Sequence, residues 1–311
     1  MHTVPAMGTV VTLQVVGHGA TDAERDERAD AVGRAVAWFD AVERACSRFD
    51  PTSDLMRLCA SPGTPVAASA LLFEAVQFAV VVAAESGGAY DPTVGATMTD
   101  RGFDRAYRTG QQVVPPHADP AASWRDVEID VEARTITLAR PLVLDLGALA
   151  KGLAIDLAAR ELHSFDDFVI DAGGDLYASG RNAGGEPWRV GIRHPRVSGH
   201  VIETLAVSGA AVCTSGDYER RNAVGHHLLD ARTGLPAAEV ASTTVVAPLA
   251  MVADALSTAA FVLGPAHGTA LLDRHGAEGI WYTSSLERLA TRGLQLELSL
   301  IHISEPTRRR G

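Results

Sequence analysis

Hydrophobic positions in the first third of the chain follow two different periods. Residues 8–16, GTVVTLQVV, are rich in β-branched side chains and predict a strand. Residues 21–46 begin with a Thr21–Glu24 capping box and then place apolar side chains at helical spacing, which predicts a long helix. A second helix is expected over residues 69–85, because the apolar pattern there stops at a Gly-Gly pair.

The rest of the chain alternates short strand patterns with two further helices. Residues 126–139 have apolar residues on both sides of a polar turn and predict a hairpin, which follows a Pro-rich loop at 111–123. Helices are expected over residues 147–162 and 249–264, and Gly264 closes the second one. Further segments with the composition of strands are residues 168–174, 188–194, 203–209, 225–230 and 242–248.

This order of elements predicts a fold class. Runs of strands interrupted by long helices favour an α+β fold, with mixed or antiparallel sheets flanked by long helices, over a regular βαβ series. We expect residues 1–297 to form a single globular unit. Residues 298–311, LSLIHISEPTRRRG, continue none of the patterns and resemble a translated adapter-type sequence, so we assign them to a tail without function.

Charge and cysteine usage narrow the range of functions. The 311-residue chain has a net charge of −11 and is 47% hydrophobic, so it can bury a sizeable core. Its only basic run is residues 308–310, and a nucleic-acid surface needs clustered basic residues, so we expect no nucleic-acid partner. Cys46, Cys59 and Cys213 have neither CxxC nor zinc-site spacing and are expected to be buried thiols.

The N-terminus and the hydropathy bear on location. The first residues, MHTVPAMGTVV, lack a basic region followed by an apolar one, as a secretory signal would have. No segment approaches the roughly 18 apolar residues of a membrane helix. We therefore expect a cytoplasmic protein with no integral membrane segment. A start codon upstream of Met1 would leave room for a leader and for an extracytoplasmic, membrane-associated location.

The segment 144–156, LDLGALAKGLAID, is apolar except for its acidic residues and one lysine. A buried Lys151 must pair with an anion or lose its proton. It lies in the first turns of the predicted helix, and a helix N-terminus with a lysine favours an anion such as phosphate. Asp145 could cap the helix or accept a hydrogen bond from a ligand. A helix cap with an internal Asp145–Lys151 pair explains the same residues without a ligand.

Asp254 and Thr258 are four residues apart and share one face of the predicted helix over 249–264. Carboxylate and hydroxyl oxygens are the ligands that Mg²⁺ prefers, usually with waters completing the shell. The alternative is an exposed Asp254 beside a Thr258 that bonds back to its own helix.

Three loops carry weaker signals. Residues 90–95, YDPTVG, form a pre-set loop beside an aromatic ring that can stack on a planar ligand. The Gly-Gly pair at 173–174 permits a close backbone approach. A Ser–His–Asp hydrolase triad could be assembled from Ser215, His226 or His227, and Asp217 or Asp230, but no GxSxG nucleophile elbow is present, which argues against a hydrolase.

Taken in order along the chain, eight motifs resemble the ApbE family, the FAD:protein FMN transferases. They are MGTVV, SRFDPTSDLMRL, YDPTVG, LDLGALAKGLAID, IDAGGDLYASG, TSGDYER, HHLLDARTGLPA and VADALSTAAFVLG. The resemblance covers roughly residues 4–264 and most of the following segment. None of the motifs is specific alone, but the ordered series is.

The resemblance implies an activity, a metal cofactor and a protein partner. Members of the family bind FAD as substrate and, with Mg²⁺, split its pyrophosphate. They transfer FMN to a Thr or Ser hydroxyl of a target protein and release AMP. The target carries a segment of the type D-x-x-(S/T)-x-A-T.

The resemblance also assigns residues, motif by motif. His227 is expected to be the base toward the acceptor hydroxyl, and Lys151 to neutralise charge on the anhydride. The expected FAD contacts are Met7, Phe49, Ala89, Tyr90, Asp91, Asp145, Lys151 and Leu229. The expected metal ligands are the backbone oxygen of Ala148, the side chains of Asp254 and Thr258, and Ser257, which stands where some members carry a further ligand.

Two departures and two alternatives accompany the resemblance. Phe49 stands where relatives often have Tyr, and residues 93–97 read TVGAT where the family has Pro after the glycine. The same site with water as acceptor would make an FAD pyrophosphatase that yields FMN and AMP. A flavin-binding protein without turnover is the other alternative, and the intact metal-binding residues and Lys151 argue against it.

Overall fold

The computed structural model describes residues 1–17, 19, 21–106 and 110–297. Its helices are α1 (Asp22–Cys46), α2 (Asp54–Cys59), α3 (Ala70–Glu85), α4 (Gly95–Asp100), α5 (Ala150–Glu161), α6 (Ala250–Arg274) and α7 (Arg292–Glu297). Its strands are β1 (His2–Ala6), β2 (Thr9–Val15), β3 (Val66–Ala67), β4 (Val127–Asp130), β5 (Thr135–Leu138), β6 (Phe168–Ala172), β7 (Asp175–Ser179), β8 (Trp188–Arg193), β9 (Val201–Val207), β10 (Ala210–Gly216), β11 (Arg221–Asn222), β12 (Gly225–His226), β13 (Leu229–Asp230), β14 (Leu235–Pro236), β15 (Val240–Ala247), β16 (Glu278–Thr283) and β17 (Arg288–Ala290).

An eight-stranded sheet lies at the centre of the structure. Its strand order is β1-β2-β6-β7-β10-β15-β16-β17, and every neighbouring pair is antiparallel. Helices α5 and α6 pack on one face, with α1 and α3 outside them, and the β8–β9 ribbon covers part of the other face. Neighbouring residues of β10 face opposite layers, because Ala211 and Cys213 join the helical core while Val212 joins the core under the ribbon. This arrangement is the expected α+β fold.

Local sequence signals explain most of the helices. The Thr21–Glu24 capping box is formed, and α1 buries Ala31, Ala35 and Phe39 on one face, at the predicted spacing. Helix α3 begins after an N-cap serine, as the pattern at 69–85 indicated.

The predicted strand at 8–16, the hairpin at 126–139 and the strands at 168–174, 188–194, 203–209 and 242–248 are confirmed. The three cysteines are buried free thiols, also as expected.

Three boundaries differ from the predictions. Helix α5 starts at Ala150 rather than residue 147, because residues 147–149 form a turn in which the Asp145 carboxylate accepts from the Gly147 amide. Residues 225–230 are not one strand but contribute to two short ribbons, β11–β12 and β13–β14. Helix α6 continues past Gly264, which has a left-handed φ of 68°, because Pro265 starts the helix again after the kink.

Helix α6 also corrects an expectation about hydropathy. An 18-residue window within it has a mean hydropathy of 1.3, so by length and composition it could cross a membrane. The expectation that no segment approaches this size is therefore wrong for α6. Its apolar character has another explanation in the structure, because 56% of that window is buried and the helix packs against α5, β10 and β15. The tail assigned to residues 298–311 lies outside the described residues.

Candidate active site

The candidate site forms where the first turns of α5 and α6 meet. Gly152 of α5 lies against the backbone of α6, since a Cβ atom there would be 2.3 Å from the Ala250 carbonyl oxygen. The Asp156 carboxylate of α5 accepts hydrogen bonds from the amides of Ala250 and Met251, at 2.7 and 2.9 Å, and so caps α6. This close crossing brings the polar residues of both helices together at the end of strand β10.

Lys151 is paired with two carboxylates. Its Nζ atom is 3.1 Å from Asp175 Oδ2 and 3.4 Å from both carboxylate oxygens of Asp254. Burial alone would lower the pKa of Lys151, but the charges of Asp254 and Asp175 outweigh it and raise this pKa, so the ammonium stays protonated at neutral pH. The prediction that Lys151 needs an anionic partner is confirmed. The partner is not Asp145, so the internal Asp145–Lys151 pair is excluded.

The Asp254 carboxylate makes a further contact besides Lys151. Its Oδ2 accepts from the Gly152 amide at 3.1 Å, and its side chain is 5% exposed. Burial raises the pKa of Asp254 to about 6, against the lowering effect of Lys151. Two carboxylates and one ammonium leave the cluster with one excess negative charge, which favours a bound cation.

The oxygen atoms around Asp254 fit a Mg²⁺ ion. Thr258 lies one helical turn after Asp254, and Asp254 receives the Gly152 amide. Among the described residues, no hydrogen-bond donor reaches the Ala148 carbonyl oxygen. Across the described residues, no group of three or more His, Cys, Asp or Glu side chains is arranged to hold a metal. One carboxylate with hydroxyl and carbonyl oxygens is a partial shell, of the kind that Mg²⁺ completes with substrate phosphates and waters.

Asp145 belongs to a second charged pair. Its Oδ2 is 2.6 Å from Nε of Arg48, whose side chain is 5% exposed. The same guanidinium donates to the Phe103 carbonyl and lies over the Phe49 ring, 4.1 Å from its centroid. Burial would raise the pKa of Asp145, but Arg48 and the Gly147 amide outweigh burial and hold this pKa below its ordinary value. Asp145 is therefore an anion at neutral pH.

His227 lies in the connection between β12 and β13. Its Nδ1 is buried without a hydrogen-bond partner among the described residues, and its ring meets the Phe103 ring edge-on at 6.3 Å. Burial, and then the nearby Arg220 charge, lower the pKa of His227 to about 3. At neutral pH the imidazole is therefore uncharged and has a free nitrogen that can accept a proton.

The predicted FAD loop is buried beside the pair of short ribbons. Ala89 accepts a hydrogen bond from the Ala231 amide, which follows Leu229 in the ribbon. The Tyr90 hydroxyl is buried with no partner in the described chain, and burial raises its pKa. An orphaned buried hydroxyl is a candidate donor to a ligand. The Asp91 carboxylate instead accepts from Thr93 and Trp124 of the protein itself.

Met7 lies in the β1–β2 turn with a left-handed φ of 47°. Gly8 has a φ of 74°, so both central residues of this two-residue hairpin turn have the positive φ that such turns require. The turn lies beside the Gly-Gly pair after β6, because a Cβ atom on Gly173 would be 2.1 Å from Thr9 Oγ1.

The hydrolase triad is not formed. Both ring nitrogens of His226 bond to backbone groups, of Ala237 and Leu228. Asp217 is paired with Arg196 at 2.6 Å. Ser215 instead contacts hydroxyls of α6.

Three residues that the structure places in the site were not predicted from the sequence as site residues. Arg48 and Asp175 lie within quoted motifs, SRFD and AGGDL, but without the fold nothing indicates which carboxylate or cation each faces. Ser215 was considered only as a nucleophile.

Comparisons with known proteins identify the family of this chain. The sequence profile of the ApbE family matches residues 7–281. The FAD:protein FMN transferase of Haemophilus influenzae is 28% identical over 275 residues, which are 83% of this chain and 79% of that protein. The FAD:protein FMN transferase of Treponema pallidum is 37% identical over 245 residues, 71% of this chain and 67% of that protein.

Solved structures share the fold. The ApbE protein of Thermotoga maritima superposes with a TM-score of 0.80 at 28% identity, over 95% of this chain and 97% of that one. The flavinyl transferase ApbE of Pseudomonas stutzeri, in its apo form, gives a TM-score of 0.77 at 27% identity, over 95% and 96% of the two chains.

Fold and site together define an α+β protein with a lysine–carboxylate cluster at the junction of two helix N-termini, a place suited to anions and hard cations. The chain belongs to the ApbE family, with a match that includes every predicted site residue.

Proposed function

We propose that this protein is a Mg²⁺-dependent FAD:protein FMN transferase, which moves FMN from FAD to a Thr or Ser hydroxyl of a target protein and releases AMP. The observation that carries the proposal is the Lys151–Asp175–Asp254 cluster at the junction of α5 and α6. It combines a protonated ammonium with carboxylate and hydroxyl oxygens, which is what a metal-assisted attack on a phosphoanhydride requires. The family match and the names of the relatives support the same activity.

The proposed metal ligands are Asp254, Thr258 and the Ala148 carbonyl oxygen, with Ser257 as a further candidate. The ion supplies charge neutralisation on the pyrophosphate when it is bound. Lys151 adds a second positive charge, and the N-terminal turn of α5 adds its amide groups. The proposed flavin contacts are Met7, Phe49, Ala89, Tyr90, Asp91, Asp145, Lys151 and Leu229.

His227 is the proposed base. The acceptor oxygen forms a bond to the phosphorus of the FMN half, the bond from that phosphorus to the AMP oxygen breaks, and the hydroxyl proton passes to a ring nitrogen of His227. The free, uncharged imidazole is in the right form to take that proton. Its pKa of about 3 is low for this task. Anionic phosphates placed beside the ring would raise it.

The test is a product and mass assay. The protein is incubated with FAD and Mg²⁺ and a small protein that carries a D-x-x-(S/T)-x-A-T segment, and AMP is measured together with the mass of the acceptor. We expect one added FMN on the acceptor, no addition with EDTA, and none on an acceptor whose Ser or Thr is replaced by Ala. AMP and FMN formed without acceptor modification would identify a pyrophosphatase instead. FAD binding with neither product would identify a flavin-binding protein.

A further inference from the structure

Three hydroxyl groups lie in contact between strand β10 and helix α6. Ser215 Oγ is 2.8 Å from Ser257 Oγ and 3.0 Å from Thr258 Oγ1. Ser257 Oγ in turn donates to the backbone carbonyl oxygen of Asp254, at 2.8 Å. These are ordinary lengths for O–H···O hydrogen bonds.

Counting protons determines the direction of each bond. A hydroxyl has one proton to donate, and Ser257 donates its proton to the Asp254 carbonyl. Ser215 must therefore be the donor to Ser257. The Ser215 proton is then committed, so Thr258 must be the donor to Ser215. The chain runs in one direction, from Thr258 to Ser215 to Ser257 to the Asp254 carbonyl.

The direction of the chain leaves the Thr258 oxygen free to accept or coordinate. Its proton points toward Ser215, so both lone pairs of its oxygen remain free for another partner. Bonds in such a chain polarise one another and increase the negative charge on the oxygen of the first donor, which is Thr258. A hard cation prefers an oxygen in this state.

The three hydroxyl-bearing residues differ in burial, as expected if only Thr258 contacts the ion. Ser257 is 1% exposed and Ser215 is 9% exposed, whereas Thr258 is only half-buried. Thr258 is thus the more accessible of the two neighbouring hydroxyls on α6, while Ser257 is buried and one of its two lone pairs is already used by Ser215.

We propose that Ser215 and Ser257 are positioning residues, which hold the Thr258 hydroxyl proton away from the metal and leave its lone pairs for the ion. Ser257 then acts through Ser215 and is not a metal ligand itself. This inference rests on the proposed function, because that function places Mg²⁺ at Asp254 and Thr258.

The test measures metal affinity apart from turnover. Mn²⁺ is titrated into the FAD-saturated protein without an acceptor, and the free ion is followed by its paramagnetic resonance signal. Replacement of groups that orient metal ligands costs about 10- to 100-fold in affinity. We expect Ser215→Ala to raise the Kd for Mn²⁺ about tenfold. Ser257→Ala should have a smaller effect, because it frees the Ser215 proton to compete for Thr258.

The double variant separates the two roles of Ser257. With Ser215 absent, Ser257 no longer influences Thr258, so Ser215→Ala/Ser257→Ala should bind Mn²⁺ as Ser215→Ala does. If Ser257 were a direct ligand, Ser257→Ala would be the worse single variant and its effect would persist in the double variant. That result, or an unchanged Kd in Ser215→Ala, would overturn the proposal.

The controls use neighbouring positions and independent readouts. Thr214→Val removes the adjacent hydroxyl, which bonds to Thr244 at 2.9 Å, and should leave the Kd for Mn²⁺ unchanged. In both serine variants, FAD affinity without metal should stay at the wild-type value, and the urea transition should stay cooperative with a midpoint lowered only by the loss of a buried hydrogen bond, which separates positioning from a loss of structure. Wild-type protein that binds no Mn²⁺ would overturn the inference together with the metal assignment. If the serine effects appear but FMN is not transferred, only the proposed reaction fails.

Discussion

Arg48 joins residues that are far apart in the sequence. Its guanidinium pairs with Asp145, 97 residues away, and donates to the carbonyl of Phe103, whose ring packs against His227. One buried cation therefore supports a predicted flavin contact and the wall beside the proposed base. The ion pair is largely shielded from water, because the two side chains are 5% and 19% exposed.

Replacing Arg48 should leave Asp145 as a buried, unpaired charge. We expect Arg48→Met to lower the free energy of unfolding by about 3 kcal/mol at pH 7, the usual effect of removing one partner of a buried pair. Arg48→Lys keeps the charge but not the fork of donors, so its loss should be smaller. Urea unfolding of the three proteins measures both values. If Arg48→Met and Arg48→Lys lost the same free energy of unfolding, the unpaired charge of Asp145 would not be the cause of the loss.

The pH dependence of this effect has a definite sign. The pKa of Asp145 in the folded wild type is lower than its ordinary value of 3.8, so its stabilisation is present above that value and is lost as the pH falls through the folded pKa. In Arg48→Met, only the Gly147 amide and the Arg220 charge still oppose the effect of burial, so the pKa of Asp145 is higher and the carboxylate takes up a proton more readily. The difference between wild type and Arg48→Met should therefore shrink as the pH is lowered from 7 toward 4.

His227 gives a prediction on activity. We expect His227→Ala to reduce FMN transfer by about 10²- to 10⁴-fold, the typical contribution of a positioned base. FAD affinity should change little, because the imidazole has no charge to offer the phosphates at neutral pH. Rates with saturating FAD and acceptor, combined with an FAD binding titration, check both statements. Unchanged turnover would remove His227 from the mechanism.

At the level of elements, the crossing of α5 and α6 builds the site. Gly152 permits the close approach, and Asp156 ties the start of α6 to α5. The sequence predicts both helices but not their contact. Glycine inside a helical pattern signals a close neighbour without saying which one.

Asp156 should make this junction sensitive to pH. Burial raises its pKa to about 6 from 3.8, even though two amides donate to it. The folded state then holds the proton more tightly than the unfolded state, so stability from this group is full below pH 3.8 and is lost as the pH rises to about 6. Relative to Asp156→Asn, the wild type should lose about 2–3 kcal/mol across that interval. Urea unfolding of both proteins at intermediate pH values measures the difference, and parallel curves would contradict it.

For the whole molecule, the site should couple ligand binding to stability. A ligand at about 100 times its Kd stabilises the folded state by about 2.7 kcal/mol. We expect FAD to raise the thermal midpoint and Mg²⁺ to raise it further. In Asp254→Asn, which keeps an acceptor for the Gly152 amide but loses the charge, the FAD increment should remain and the Mg²⁺ increment should disappear. Equal Mg²⁺ increments in both proteins would place the metal elsewhere.

Most elements of the fold could be predicted because their signals are local. The capping box of α1, the serine cap of α3 and the β-branched composition of β2 and β15 are each contained within a few residues. The errors occurred where a turn or a kink interrupts the apolar pattern of a helix. The start of α5 depends on how Asp145 is used, and the continuation of α6 depends on a kink at Gly264 that a local pattern reads as an end.

By itself, the sequence determined the α+β class, most strand and helix positions, the need for an anion at Lys151 and, through its ordered motifs, the family. Only the tertiary structure decided which groups are partners: Lys151 with Asp175 and Asp254, Asp145 with Arg48, and Ser215 with Ser257 and Thr258. The physical reason is the separation along the sequence of the residues that interact. Helix and strand periods come from neighbouring residues. Charge pairing and hydrogen-bond direction depend on distances between segments that are up to 103 residues apart and that only the folded sheet and helices bring together.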